Sequence, residues 1–234
     1  MKINIRTISA LGFVALLAAP VASAELIVNG NFQSGYTGFT SAYTIGQPGN
    51  TGLYPAGTYA LLTDPSLGHN LFASFGDHTS GTGLMMVING AAAPVNVWAE
   101  GPITVTANTN YLLSAWVTSV YSASPALLSF NLNGSQVGSN FSLAGTTVGD
   151  WQHFTGTWNS GANTSASLAA IVDQNLEPNG NDFALDDISL VEQTADVGAV
   201  PEPSSWILLG TGIVLFGAFT KVSGGRSYSG LRKQ

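Results

Sequence analysis

The chain contains no cysteine and very few charged residues. Of its 234 residues, 8% are charged and 45% are hydrophobic. Without cysteine it can form neither disulfides nor sites with thiolate ligands. Its six lysines and arginines lie near the two ends, and none occurs between Glu25 and Thr220.

The lack of cations between these two residues excludes several functions and interactions. Nucleic-acid binding rests on lysine and arginine side chains that displace counterions from phosphates, so we exclude it. Ion pairs with lysine or arginine are excluded there for the same reason. The carboxylates of this stretch can pair only with a metal ion, a histidine or backbone N–H groups.

The N-terminus has the pattern of an export signal. Lys2 and Arg6 precede an apolar stretch at residues 8–19, and the small residues Ala-Ser-Ala follow at 22–24. This order is typical of a secretory signal peptide and predicts that residues 1–24 direct the chain to the Sec export machinery. A membrane anchor is the alternative, but the apolar run is short and ends in a cleavage-like site.

The C-terminus combines a second apolar segment with basic residues. Residues 206–222 are just long enough to cross a membrane as a helix, with Trp206 and Lys221 at its two ends. The positive-inside rule then predicts a basic cytoplasmic tail at 223–234 and an acidic domain outside the cytoplasmic membrane. Residues 197–205 form the linker between the domain and the predicted helix.

The linker contains the tripeptide Pro201, Glu202 and Pro203. Followed by an apolar segment and a basic end, it resembles the PEP-CTERM sorting signal of Gram-negative bacteria, although this basic tail is longer and more dilute than an arginine cluster. The resemblance implies processing by a membrane exosortase. The domain would first be tethered to the inner membrane and exposed to the periplasm. It would then reach the cell surface, or the extracellular matrix of a biofilm.

Residues 25–196 carry the pattern of an all-β domain. Short apolar runs alternate with turn residues, and no stretch has a convincing helical period. Asn133 and Gly134 predict a hairpin turn, and residues 108–110 predict a turn before a long strand. The sequence therefore predicts an antiparallel β-sandwich of the jelly-roll type.

The two ends of this domain, "ELIVNGNFQSGYTGF" and "NDFALDDISLVE", resemble the first and last strands of jelly-roll carbohydrate-binding modules with a galactose-binding-like fold. The resemblance implies a structural calcium held by Asn31, Gln33, Asp186 and Asp187, with Gln33 where the family usually has glutamate. Against this site, neighbouring residues of a regular strand point to opposite faces, so only one of the two aspartates could then face the ion.

No catalytic motif stands out. His69, His78 and His153 are far apart in the sequence, and surface hydrogen bonding is the expected role for each. Glycoside hydrolysis needs a pair of carboxylates about 5–10 Å apart. The candidates lack a context that would single out such a pair: Glu100, Asp150, Asp173 and Glu177. We therefore predict a non-catalytic protein, with a surface glycan hydrolase as the alternative.

Aromatic side chains favour sugar binding, because their flat faces stack on the C–H surfaces of pyranose rings. Trp116 and Trp158 lie among apolar neighbours and are expected to fill the core. The tyrosines of a turn-rich segment are the better candidates for a ligand surface, since binding residues often lie on loops: Tyr36, Tyr43, Tyr54 and Tyr59. The predicted role is carbohydrate binding, or a structural role, in an exopolysaccharide matrix.

Overall fold

The computed structural model describes residues 23–46, 52–166 and 169–193. The chain divides after Gln193 into two units, Met1–Gln193 and Thr194–Gln234, and all of the described residues belong to the first. Residues 1–22 of the expected signal peptide, the Pro-Glu-Pro motif and the expected C-terminal helix lie outside the described residues. Within the described ranges, no helix is long and apolar enough to cross a membrane.

The described residues form strands and turns, with one 3-10 turn at Pro65–Leu67. The strands are, in chain order, β1 (Thr44–Ile45), β2 (Thr58–Leu62), β3 (Met85–Asn89), β4 (Asn96–Glu100), β5 (Ile103–Thr104), β6 (Asn110–Ser119), β7 (Leu127–Leu132), β8 (Ser135–Gln136), β9 (Phe141–Ser142), β10 (Gln152–Asn159), β11 (Ser165–Ala166), β12 (Ala169–Asp173) and β13 (Phe183–Glu192).

These strands make two main sheets. One has six strands in the order β1-β2-β3-β13-β6-β10, and the other has five, in the order β4-β12-β7-β8 with β9 also paired to β7. Strands β5 and β11 form a separate pair. The pairs are antiparallel except β1 with β2, which run parallel. The prediction of an antiparallel sandwich needs this one correction at the sheet edge, because the chain crosses over between β1 and β2.

The main core lies between the two sheets. Along β6 the burial alternates, with Leu113, Ala115 and Val117 buried against the second sheet, as expected for a strand with a covered face and a more open one. The rings of Phe130 from β7 and Phe154 from β10 stack 3.6 Å apart, which joins the two layers. The all-β sandwich prediction is confirmed.

A second, smaller core lies on the other face of the six-stranded sheet. Met85 and Val87 of β3 turn to this face, where Leu53 and Phe72 pack on them. The segment around the 3-10 turn therefore covers one part of the sheet. The remainder of this outer face carries the polar and aromatic groups described below.

Candidate functional site

Three neighbouring strands place a row of polar and aromatic side chains on the outer face of the six-stranded sheet. In the register of the sheet, Trp116 of β6 is paired with His153 of β10 on one side and with Asp186 of β13 on the other. Directly paired residues point to the same face, so these three side chains are neighbours. Together with His78 and Asp187 we call them the carboxylate–histidine cluster.

A bulge in β13 brings both aspartates to one partner. The register of β13 against β6 shifts between Asp186 and Ser189, and Asp187 has a left-handed φ of 46°. The backbone N–H of His78 donates to Asp186 Oδ2 at 2.9 Å, and His78 Nδ1 lies 2.7 Å from Asp187 Oδ2. The expectation that these aspartates point to opposite faces is wrong here, because the bulge breaks the alternation.

The ring of His78 lies on the indole of Trp116, with centroids 3.8 Å apart and planes 14° apart. His153 is also nearly parallel to this indole, at 4.4 Å and 10°. Two histidines that are distant in the sequence therefore share one tryptophan. Trp116 is partly exposed rather than part of the core, which corrects the sequence-based expectation.

Asp186 is fully buried, and burial raises its pKa to about 7, with the charge of Asp187 acting in the same direction. Its second oxygen, Oδ1, accepts the N–H of Asp187 at 2.9 Å. Each oxygen of Asp186 thus accepts a backbone N–H, and the side chain is not exposed to solvent.

Of the four residues expected to bind calcium, Gln33, Asp186 and Asp187 make hydrogen bonds within the protein. Asp186 accepts the backbone N–H groups of His78 and Asp187. The Asp187 carboxylate pairs with the His78 ring and accepts the hydroxyl of Thr79. Gln33 Oε1 accepts the N–H of Leu84, and its amide donates to the carbonyls of Leu84 and Asn31. In the described ranges, no group of three or more His, Cys, Asp or Glu side chains is placed to hold a metal ion. Calcium at these four residues stays a prediction.

A cavity of about 260 Å³ lies elsewhere on the domain, and we call it the tyrosine cavity. Its lining combines rings, apolar side chains and amide or carboxylate groups: Tyr54, His69, Leu71, Phe72, Asn89, Tyr121, Pro178, Asn179, Gly180 and Asp182. Tyr54 and His69 are 4.2 Å apart between ring centroids, and His69 and Phe72 are 4.6 Å apart. The rings thus form a continuous aromatic wall that begins at the exposed Tyr54.

The four candidate tyrosines occupy different environments. Tyr43 is buried, its hydroxyl accepts the N–H of Ala91, and burial raises its pKa to about 12. Tyr59 is also buried, against Tyr36. Tyr36 is exposed and its hydroxyl accepts the N–H of Leu61, away from the cavity. Tyr54 alone among the four lines the tyrosine cavity.

The structure also shows the environments of Trp158 and of the four carboxylates considered for hydrolysis. Trp158 packs on the rim of the main core beside Tyr111. The Glu100 carboxylate accepts the N–H of Val28, and burial raises the pKa of Glu100. Asp173 is buried, whereas Asp150 and Glu177 are exposed.

The comparisons with known proteins bear on the fold. The chain is similar to an arabinose-bound α-L-arabinofuranosidase structure, MgGH51, at 16% identity and a TM-score of 0.51, over 74% of this chain and 27% of that one. The β-sandwich is shared with part of that structure. At this identity the likeness shows the fold alone.

Two further solved structures are similar at lower scores. The CBM22-1 xylan-binding domain from Paenibacillus barcinonensis Xyn10C matches at 14% identity and a TM-score of 0.43, over 76% of this chain and 99% of that domain. A family 16 carbohydrate-binding module matches at 18% and 0.42, over 71% and 99%. No protein-family model and no curated protein matches the chain.

Proposed function

We propose that the β-sandwich is a non-catalytic glycan-binding domain and that its ligand occupies the tyrosine cavity. The observation that carries this proposal is the aromatic wall of Tyr54 and His69 beside the polar groups of Asn179 and Asp182 in one cavity. Aromatic faces bind the apolar side of a sugar, and a few placed polar groups fix its hydroxyls.

The size of the cavity sets the expected ligand. Clefts for small ligands typically measure roughly 300–1,000 Å³. The tyrosine cavity, at about 260 Å³, lies just below that range and suits one sugar residue, such as a chain end or a branch. Because Tyr54 is 46% exposed, a longer glycan can continue past it into solvent.

We further propose that the domain acts outside the cytoplasmic membrane, where an exopolysaccharide is the expected glycan partner. The sequence supports this through the export pattern at residues 1–24 and through the Pro-Glu-Pro motif, apolar segment and basic tail after residue 196. An exosortase is the partner implied for that tail. Intact residues 197–234 on mature secreted protein, seen by mass spectrometry, would count against this part of the proposal.

The binding test compares two tyrosines of equal exposure. Tyr54 and Tyr36 are 46% and 47% exposed, but only Tyr54 lines the cavity. A glycan array with the full-length protein identifies a ligand, and Tyr54→Ala should weaken its binding on the order of tenfold through loss of the stacking face. Tyr36→Ala should bind like the wild type.

A reducing-sugar assay on the same glycan separates binding from hydrolysis. We expect no sugar release. Release by the wild type would replace the proposal with the hydrolase, and equal loss of binding in both variants would move the ligand away from the tyrosine cavity.

A further inference from the structure

Two buried oxygen atoms near the end of β12 have no hydrogen-bond partner among the described residues: Asp173 Oδ2 and Asn181 Oδ1. The two residues are 1% and 0% exposed. The other oxygen of Asp173 accepts the N–H groups of Leu127 and Asn175, at 3.1 and 2.9 Å. Buried acceptors without a donor are costly, so an unsatisfied pair needs an explanation.

The orientation of the Asn181 amide is set by its neighbours. Its Nδ2 donates to the carbonyls of Ala91 at 3.0 Å and of Asn175 at 2.6 Å. Only the nitrogen can make these two bonds, because carbonyls do not donate. The Asn181 oxygen therefore faces away from both carbonyls and is the atom left without a partner.

A third oxygen-bearing side chain, Asp182, is a neighbour of Asn181 through Gly90. Asp182 Oδ1 accepts the N–H of Gly90 at 3.0 Å, and a Cβ on Gly90 would lie 2.0 Å from Asn181 Oδ1. The backbone of Gly90 thus touches both side chains. Asp173 and Asn181 are linked through Asn175, whose N–H donates to Asp173 Oδ1 at 2.9 Å and whose carbonyl accepts Asn181 Nδ2 at 2.6 Å. The three oxygen-bearing side chains are thus neighbours through Gly90 and Asn175.

Among the described residues no lysine or arginine is available to balance these carboxylates, since none occurs between Glu25 and Thr220. Asp173 and Asp182 are both buried, and two buried like charges without a counter-charge are strongly disfavoured. A bound cation would balance the charges and satisfy the open oxygens.

We propose that Asp173, Asn181 and Asp182 bind a divalent cation of the hard, oxygen-preferring class, with calcium as the best match. Calcium takes six to eight oxygen ligands from carboxylates, amide and backbone carbonyls, and water, in flexible geometry. This site is separate from the four residues that the family resemblance implies.

The site also has a structural consequence. Asp173 and Asn181 bracket the loop that supplies Pro178, Asn179 and Gly180 to the tyrosine cavity. A cation held by both ends would fasten this loop. The calcium measurements below involve no glycan, so their failure and the failure of the proposed function can be told apart.

The test uses calcium and the full-length protein, freed of metal with EDTA. Calorimetric titration with CaCl2 should show binding, and CaCl2 at millimolar concentration should raise the melting temperature. Asp173→Asn keeps the oxygen that accepts Leu127 and Asn175 and removes only the charge. It should melt in EDTA at or above the wild-type temperature, yet bind calcium on the order of tenfold more weakly or not at all. A variant that merely damaged the fold would melt lower in EDTA.

Asp187→Asn is the matched control, because it removes an aspartate of the resemblance-implied site. It should keep the full calcium response. If Asp173→Asn does not fold, Asp182→Asn takes its place, since its oxygen can still accept the N–H of Gly90. The proposal is overturned if calcium has no effect on the wild type, if the Asp173 variant keeps the full response, or if the Asp187 variant loses it.

Discussion

At the scale of single residues, His78 connects elements that are far apart in the chain. Its backbone bonds to Asp186, its ring pairs with Asp187, and the same ring lies on Trp116. The loop that presents His78 is held from one side by Asp77. The Asp77 carboxylate accepts the N–H of Gly83 at 2.7 Å and both the N–H and hydroxyl of Ser80, at 3.1 and 3.0 Å.

These bonds give a pH-dependent prediction for Asp77. Burial opposes its charged form, but the combined hydrogen bonds from Gly83, Ser80 and Thr82 lower its pKa below 3.8. A carboxylate with a lowered pKa stabilises the fold above its unfolded pKa, and that contribution is lost as the pH falls through the folded pKa. Asp77→Asn should therefore lower the free energy of unfolding by about 1–3 kcal/mol at pH 6, and this difference should shrink below about pH 3.8.

Urea denaturation at a series of pH values measures this difference. Asp150→Asn is the control, because Asp150 is an exposed aspartate and its substitution should change little at any pH. A constant difference between wild type and Asp77→Asn from pH 6 to pH 3 would contradict the role given to the Asp77 charge.

At the scale of elements, the residues that favour turns correctly predicted two turns of the structure. Asn133 and Gly134, with φ of 51° and 75°, form the turn between β7 and β8, and Asn108, with φ of 56°, precedes β6, both as expected. The sequence around Asp187 contains no comparable turn residue. Aspartate tolerates the left-handed conformation of the bulge but does not specify it. The bulge depends on how β13 is held between its neighbours, which the local pattern does not contain.

Gly30 and Gly134 are needed for different reasons: Gly30 for close packing and Gly134 for its backbone conformation. A Cβ at Gly30 would lie 1.8 Å from the carbonyl oxygen of Ile188, next to the bulge, whereas nothing lies within 4 Å of a Cβ at Gly134. Gly134→Ala should cost only the backbone strain, about 1–2 kcal/mol. Gly30→Ala should cost more, about 3 kcal/mol or above, because backbone must move.

Thermal and urea denaturation of the two variants measures these costs. The close approach of Gly30 to β13 would be contradicted if both substitutions cost the same, or if Gly30→Ala were the milder one.

At the scale of the whole molecule, the sandwich was predictable and the sites were not. Short apolar runs between turns are a property of the sequence, and they indicated two packed sheets. The contact of His78 with Asp186 and Asp187 spans more than 100 residues of chain and needs the strand order β13-β6-β10. The same limit applies to the tyrosines: Tyr43 and Tyr54 sit in similar turn-rich sequence, yet one is buried and the other lines a cavity.

The absence of lysine and arginine from the domain limits how its carboxylates can be stabilised. In a domain without lysine or arginine, neutral hydrogen-bond donors, histidines and bound cations remain to stabilise the carboxylates. The structure shows the first two, at Asp77 and at Asp187. The third is our proposal for Asp173 and Asp182.

A crystal structure of the protein with the glycan that the array identifies would show directly whether the tyrosine cavity binds the sugar. We expect a sugar ring in the tyrosine cavity, against Tyr54, with polar contacts from the side of Asn179 and Asp182. A sugar bound instead on Trp116 between His78 and His153, or elsewhere on the surface with the tyrosine cavity empty, would contradict this expectation.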